Sequence, residues 1–192
     1  MKLLHLDSSI LGDNSASREL SAAVVARWQD AVPSLEVSYR DLASAPMPHL
    51  SGGSPAGHDA GEAAEAERVM QEFLDADVVV VGAPMYNFGV PSTLKAWVDR
   101  VLVAGMTFRY TENGPQGLAG GKKVVVVSSR GGAHQHSGGD FQESYLRYVF
   151  GFIGVTDIEV VRAEGLAMSS QHRAEAIAAA HASIRVPLAE AA

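Results

Sequence analysis

The chain contains no cysteine. That excludes disulfides, thiolate metal ligands, a redox dithiol and a cysteine nucleophile, so any electrons it handles must travel on a bound group. Basic charge is scarce: 15 Lys and Arg stand against 22 Asp and Glu, for a formal charge of −7, and no Lys/Arg block occurs. Nucleic acid and an anionic membrane surface are therefore not expected as partners. Long apolar runs are missing too, all falling well short of the ~18 residues of a spanning helix. The N-terminal MKLLHLDSS meets Asp7 too early for a signal peptide. The expectation is a soluble, cytoplasmic protein. Two glycine signatures are also absent, GxGxxG and GxxxxGK. Their absence argues against a dinucleotide fingerprint and against nucleoside triphosphate hydrolysis.

What is present alternates regularly. At 192 residues the chain fits one domain, residues 1–192, and is long enough to bury a full core without staples. Short apolar runs at residues 2–6, 78–81, 123–128 and 157–163 read as strands, and 35–40 as a half-exposed strand. Amphipathic stretches at 18–30, 62–74, 91–105, 141–152 and 171–192 read as helices, with Ser15 or Ser17 capping the first. The tail beyond Pro187 is expected to fray. Residues 41–61 carry Pro46, Pro48 and Pro55 with several Gly and Ser, and read as a lid-like loop. Residues 107–121, with Asn113-Gly114, read as a small hairpin or flap. The βαβ alternation with near-continuous valine strands predicts a parallel sheet covered on both faces, five strands in the order 2-1-3-4-5.

In that order ligands bind at the carboxyl ends of strands, where the winding reverses between strands one and three. Three unusual loops meet there. The first carries Ser9, Ser15 and Ser17 at a helix N-terminus, an anion site suited to a monoester phosphate. Taken singly, each serine is better explained by capping. The second is Pro84-Met85-Tyr86-Asn87-Phe88, flat apolar surface with one amide; alone it reads equally well as a plug against the next helix. The third is Ser129-Arg130-Gly131-Gly132, where backbone can approach a ligand closely. A phosphate site at one end and a seat for a planar, amide-edged ring at the other describe flavin mononucleotide, FMN. The glycine loop would sit beside the ring edge where negative charge develops on reduction.

These residues resemble the FMN-dependent NADH azoreductases of bacteria. The likeness rests on Ser8-Ser9-Ile10-Leu11, Pro84-Met85-Tyr86-Asn87-Phe88, the run 107–115, Ser129-Arg130-Gly131-Gly132, Gly151-Phe152-Ile153-Gly154 with Asp157, and Ala163-Glu164-Gly165. It spans nearly the whole chain in order. The resemblance implies a flavodoxin-like homodimer with FMN near the subunit interface. It implies reduction of quinones and azo compounds by NADH, with NADPH left open as donor; residues 51–59 hold no Arg or Lys to read a second phosphate. Carried over by position, Ser9, Ser15, Ala16 and Ser17 would hold the phosphate. Pro84, Met85, Tyr86, Asn87 and Phe88 would hold the ring, and Ser129, Arg130, Gly131 and Gly132 its polar edge. His134, Tyr110 and Phe152 would line the substrate side, the last two from the partner subunit. Ala16 stands where the family often has Gln, so only its backbone N–H contributes.

The implied chemistry is a ping-pong exchange in which NADH reduces the flavin, NAD+ leaves, and a quinone or azo compound accepts two electrons. No side-chain nucleophile is required. A flavodoxin-type one-electron carrier and a flavin-free regulatory protein on the same fold are the alternatives. His134 and His136 form an HxH pair, but no third ligand makes it a metal site, and no metal is expected.

Overall fold

Residues 1–52, 60–134 and 138–186 are described by a computed structural model of the chain. Residues 53–59 of the expected lid, His136 and the tail from Pro187 lie outside them.

The valine runs set the centre. β1 (Lys2–Asp7), β3 (Val78–Pro84) and β6 (Lys123–Ser129) are almost wholly buried, as strands covered on both faces must be. β2 (Glu36–Asp41) and β7 (Asp157–Ala163) lie at the edges and are more exposed. The order is β2-β1-β3-β6-β7, with every pairing parallel. β4 (Phe108–Thr111) and β5 (Gly114–Gly117) form a separate antiparallel hairpin. The five-stranded parallel sheet follows the expected order, but the described residues hold seven strands rather than five, because the hairpin expected at 107–121 adds β4 and β5. Side chains alternate across that sheet with the period of two. Val79, Val81, Val124 and Val126 join one cluster with Phe73, Trp97 and Phe150. These three belong to α2 (Ala60–Asp75), α3 (Ser92–Val101) and α4 (Phe141–Phe152). Val78, Val80, Val125 and Val127 face the other side. There they meet Leu20, Val24 and Trp28 of α1 (Ala16–Ala31) and Ala180 of α5 (Ser170–Ser183). Helices therefore cover both faces of the sheet, in three layers.

Several boundaries differ from the sequence reading for local reasons. α1 starts at Ala16 because Ser15 is the N-cap, its hydroxyl accepting the Arg18 N–H at 3.3 Å. α3 stops at Val101, short of residue 105. The Thr107 hydroxyl donates to the Val101 carbonyl at 2.6 Å and accepts the Val103 N–H at 3.1 Å, closing the helix end. The hairpin turn centres on Glu112-Asn113, with Gly114 (φ +102°) just after it. The hairpin packs where two glycine backbones touch. A Cβ on Gly117 would overlap the Ile153–Gly154 peptide, so the hairpin sits directly on the end of α4.

Candidate functional site

The parallel register places the exits of β1, β3 and β6 along one edge, and the winding reverses between β1 and β3. Ser8 ties the first two exits together by donating to the Gly82 carbonyl at 2.7 Å. The Met85 N–H donates to the Ser129 carbonyl at 2.7 Å and ties the second to the third.

The loop after β1 is held from below and from the side. Arg18 donates from Nε and Nη2 to the Ser9 carbonyl, at 3.1 and 2.7 Å. Its guanidinium also grips both carboxylate oxygens of Asp41, at 2.7 and 3.0 Å. Burial pushes the Asp41 carboxyl up, but Arg18 and the N–H groups of Ala43 and Ser44 outweigh it and hold the pKa at about 2. At the head of α1 the backbone N–H groups of Ala16 and Ser17 have no carbonyl of their own helix to reach. With the partial positive charge of the helix end they form an anion-binding concavity. Ser17 offers only its backbone, because its fully buried hydroxyl is paired with Ser15 Oγ at 3.1 Å.

The loop after β3 is a tight turn. Tyr86 and Gly89 exchange both backbone hydrogen bonds at 3.0 Å, around Asn87 (φ +50°) and Phe88 (φ +69°). Two positive φ values in succession mark a type I′ geometry, which Asn tolerates and Phe does not favour. Strain of this kind is of order 1–3 kcal/mol per residue and concentrates at ligand sites. It leaves Phe88 53% exposed beside the cleft, where it meets the His134 ring edge-on at a centroid distance of 5.5 Å.

The loop after β6 is pinned by its neighbours. The Arg130 N–H donates to the Ala163 carbonyl, and the Arg130, Gly131 and Gly132 carbonyls accept N–H groups from Leu166, Ala167 and Gly165. The N–H groups of Gly131 and Gly132 have no acceptor among the described residues. The Arg130 side chain turns down into a buried cluster. It donates to Asp140 at 2.7 Å, Ser128 at 2.6 Å and Glu143 at 2.5 Å. Arg162 also donates to Glu143, at 2.7 and 2.5 Å. Burial pushes the Asp140 carboxyl up, but Arg130 and the Glu143 N–H hold it below the usual range. Arg130 is thus committed through both Nη atoms as a strut of the loop, its buried Nε alone lacking a partner, and the other free donors at this edge are backbone ones.

Between these loops lies a cleft of about 220 Å³, bordered by Ser9, Ser15, Ala16, Pro84, Met85, Tyr86, Ser129, Arg130 and Gly131. A second space of about 230 Å³ adjoins it through Met85, Arg130 and Gly131 and adds Asn87, Phe88 and His134. Of the sequence-derived candidates, Ser17 and Gly132 stand behind the lining, and Tyr110 and Phe152 lie away from both spaces. Those two rings meet through Phe108, at 5.6 and 4.7 Å between centroids. The sequence reading missed Leu11, Asn14, Leu166, Ala167 and Arg173, which also border the cleft. Leu166 and Ala167 follow the exit of β7 beside β6, so the strand-exit rule was signal enough for them. Arg173 sits in an alanine-rich helix that carried no such signal. A larger cavity of about 800 Å³ opens at the opposite end of the strands, around Trp28, Asp77, Lys122 and Lys123, far from these loops.

The donor set suits FMN. Unspent N–H groups stand at both ends, Ala16 and Gly131 on the lining with Ser17 and Gly132 next to them in the chain, and a strained aromatic turn lies between. The described residues contain no group of three or more His, Asp or Glu arranged to hold a metal ion, and no helix long and apolar enough to cross a membrane.

Comparison with known proteins points the same way. Residues 1–187 match a family described by its flavodoxin-like fold. The chain is 64% identical over 184 residues to an FMN-dependent NADH:quinone oxidoreductase of Stenotrophomonas maltophilia, covering 96% of this chain and 94% of that one. It is 58% identical to FMN-dependent NADH:quinone oxidoreductase 2 of Pseudomonas aeruginosa, with 96% of each covered. Among solved structures, an azoreductase from Bacillus anthracis superimposes with a TM-score of 0.86 at 28% identity, covering 96% of each chain.

Proposed function

Because the chain belongs to the flavodoxin-like family of FMN-dependent NADH:quinone oxidoreductases, we propose that it is an enzyme of that kind, using FMN to pass two electrons from NADH to quinones and azo compounds. The observation that carries this reading is the pairing of unspent backbone donors at the two ends of one cleft with the Met85–Phe88 turn between them. When bound, FMN supplies the hydride acceptor and donor that the cysteine-free chain lacks.

The residues then divide the labour. The N–H groups of Ala16 and Ser17, with the hydroxyls of Ser9 and Ser15, hold the phosphate. Met85, Asn87 and Phe88 seat the ring, and Pro84 fixes the strand end that presents them. Gly131 and Gly132 donate to the ring's polar edge, where fixed donors favour the charge gained on reduction. Ser129 and Arg130 keep that edge in place. His134, whose ring meets Phe88 edge-on near Gly132, would hydrogen-bond an acceptor and hold the proton it takes up.

Donor and acceptor use the same face in turn, a ping-pong order, because the space beside Phe88 and His134 is small. The absence of Arg and Lys from residues 51–59 favours NADH over NADPH. Two copies pair as a homodimer, with Tyr110 of the partner subunit closing the cleft. An absorbance spectrum of the purified protein under argon tests the reading. A flavin spectrum that bleaches with NADH and returns with menadione is expected. Protein that takes up no FMN, or that holds FMN untouched by NADH, overturns it.

A further inference from the structure

A phosphate monoester carries close to two negative charges at neutral pH. The head of α1 offers about half a positive charge. The lysine that a GxxxxGK loop would bring is absent. Where the balancing cation comes from is therefore a question about the cleft wall.

Two arginines border the cleft, Arg130 and Arg173. Arg130 is spent: its side chain is 1% exposed and locked between Asp140 and Glu143. Arg173 is different. Its backbone N–H donates to the Ser169 carbonyl at 3.0 Å, but among the described residues its guanidinium has no carboxylate or carbonyl partner. It also lies in the first turn of α5, where the helix dipole disfavours a cation, so helix stability does not account for it. The packing of α5 explains its reach. Glu19, in the first turn of α1, faces His181, in the last turn of α5, at 3.4 Å. The two helices run the same way, so α5 begins about two turns further out than α1. Its first turn consequently overhangs the head of α1 and sets Arg173 on the same wall as Ser15 and Ala16.

We propose that Arg173 is a cofactor-binding residue that supplies the counter-charge to the FMN phosphate, a role shared by no other uncommitted cation bordering the cleft among the described residues. This rests on the FMN reading above. It assigns to α5 a part in binding additional to that of the three strand exits.

The test separates phosphate from ring. Full-length apoprotein is titrated with FMN and with riboflavin, which lacks the phosphate, following flavin fluorescence. Arg173→Gln is expected to raise the Kd for FMN about tenfold, the scale of one lost charge-assisted contact, and to leave riboflavin unchanged. Arg173→Lys should restore part of the loss. The FMN affinity of the wild type should fall with salt more steeply than that of Arg173→Gln. An FMN affinity unchanged in Arg173→Gln, or an equal loss for both flavins, overturns the proposal while leaving the flavoenzyme reading intact. Wild-type protein that binds neither flavin overturns both. Circular dichroism of the apoprotein checks that the variant is folded, which is expected for a residue outside both core clusters.

Discussion

The hydroxyl of Tyr86 lies 3.2 Å from Ser9 Oγ and accepts the Ile10 N–H at 3.1 Å. The ring is therefore a strut between two strand exits, joining the aromatic turn to the loop after β1. Removing the hydroxyl in Tyr86→Phe leaves the Ile10 N–H without this acceptor and frees Ser9. Loss of about 1 kcal/mol of stability is expected, with a several-fold rise in the Kd for FMN. Urea unfolding of the apoprotein and a flavin titration measure the two. A variant with wild-type FMN affinity would show that the strut has no bearing on binding.

Asn87 combines two properties that one substitution cannot separate. It holds φ +50° and it presents an amide to the space lined by Phe88 and His134. Asn87→Ala removes the amide and adds backbone strain of about 1 kcal/mol, since alanine disfavours that region. Asn87→Gly removes the amide and relaxes the turn. If the amide binds the ring, both variants lose FMN affinity, while only Asn87→Ala also lowers the melting temperature. If the side chain merely shapes the turn, Asn87→Gly keeps wild-type affinity.

The Arg18–Asp41 pair makes a pH-dependent prediction. Asp41 has a folded-state pKa of about 2, below its ordinary value near 3.9. A depressed acid stabilises the fold above its unfolded pKa and loses that contribution as pH falls through the folded one. Asp41→Asn should therefore destabilise the protein by roughly 1–2 kcal/mol at pH 7, after allowance for solvent screening. The gap between variant and wild type should stay level down to about pH 5 and narrow towards pH 2. Urea midpoints at several pH values check this. A gap that stays constant to pH 3 would mean that the ion pair contributes nothing to folding. Because Arg18 also grips the Ser9 carbonyl, FMN retention should weaken in the same variant.

Much of this arrangement was legible in the residues. The valine runs mark which strands are central, and the strand-exit rule alone brings Ser9, Met85 and Gly131 together. Element ends were less legible because they depend on contacts distant in sequence or unseen in periodicity. Thr107 ends α3 by bonding back to Val101 and Val103. Gly117 owes its identity to Ile153 and Gly154, in the turn that follows α4. Arg130 read as a ligand donor, yet its charge is consumed by Asp140 and Glu143, residues ten or more positions away. Arg173 stayed hidden because its position follows from how far α5 overhangs α1, and no local pattern encodes that.

Tyr110 and Phe152 do not reach the cleft of their own chain, yet they are far from idle on the surface. Tyr110 is 75% and Tyr148 is 74% exposed, and the rings Tyr110, Phe108, Phe152 and Tyr148 touch in series. Scattered surface aromatics need no explanation, but a contiguous aromatic patch marks an interaction surface. A second copy of the chain is the occupant proposed above, and a stable pairing would need to cover on the order of 1,000 Å² in total. Tyr148→Glu places a charge that must be desolvated at one end of that patch, while touching neither core cluster. Sedimentation should show wild type at twice the chain mass and Tyr148→Glu at the chain mass, with an unchanged far-UV spectrum. Turnover of menadione with NADH should fall at least tenfold in the variant, because the cleft loses the rings that close it. Wild-type protein that sediments as a single chain at micromolar concentration while turning over menadione would remove the dimer from the proposal and leave the patch without its proposed role.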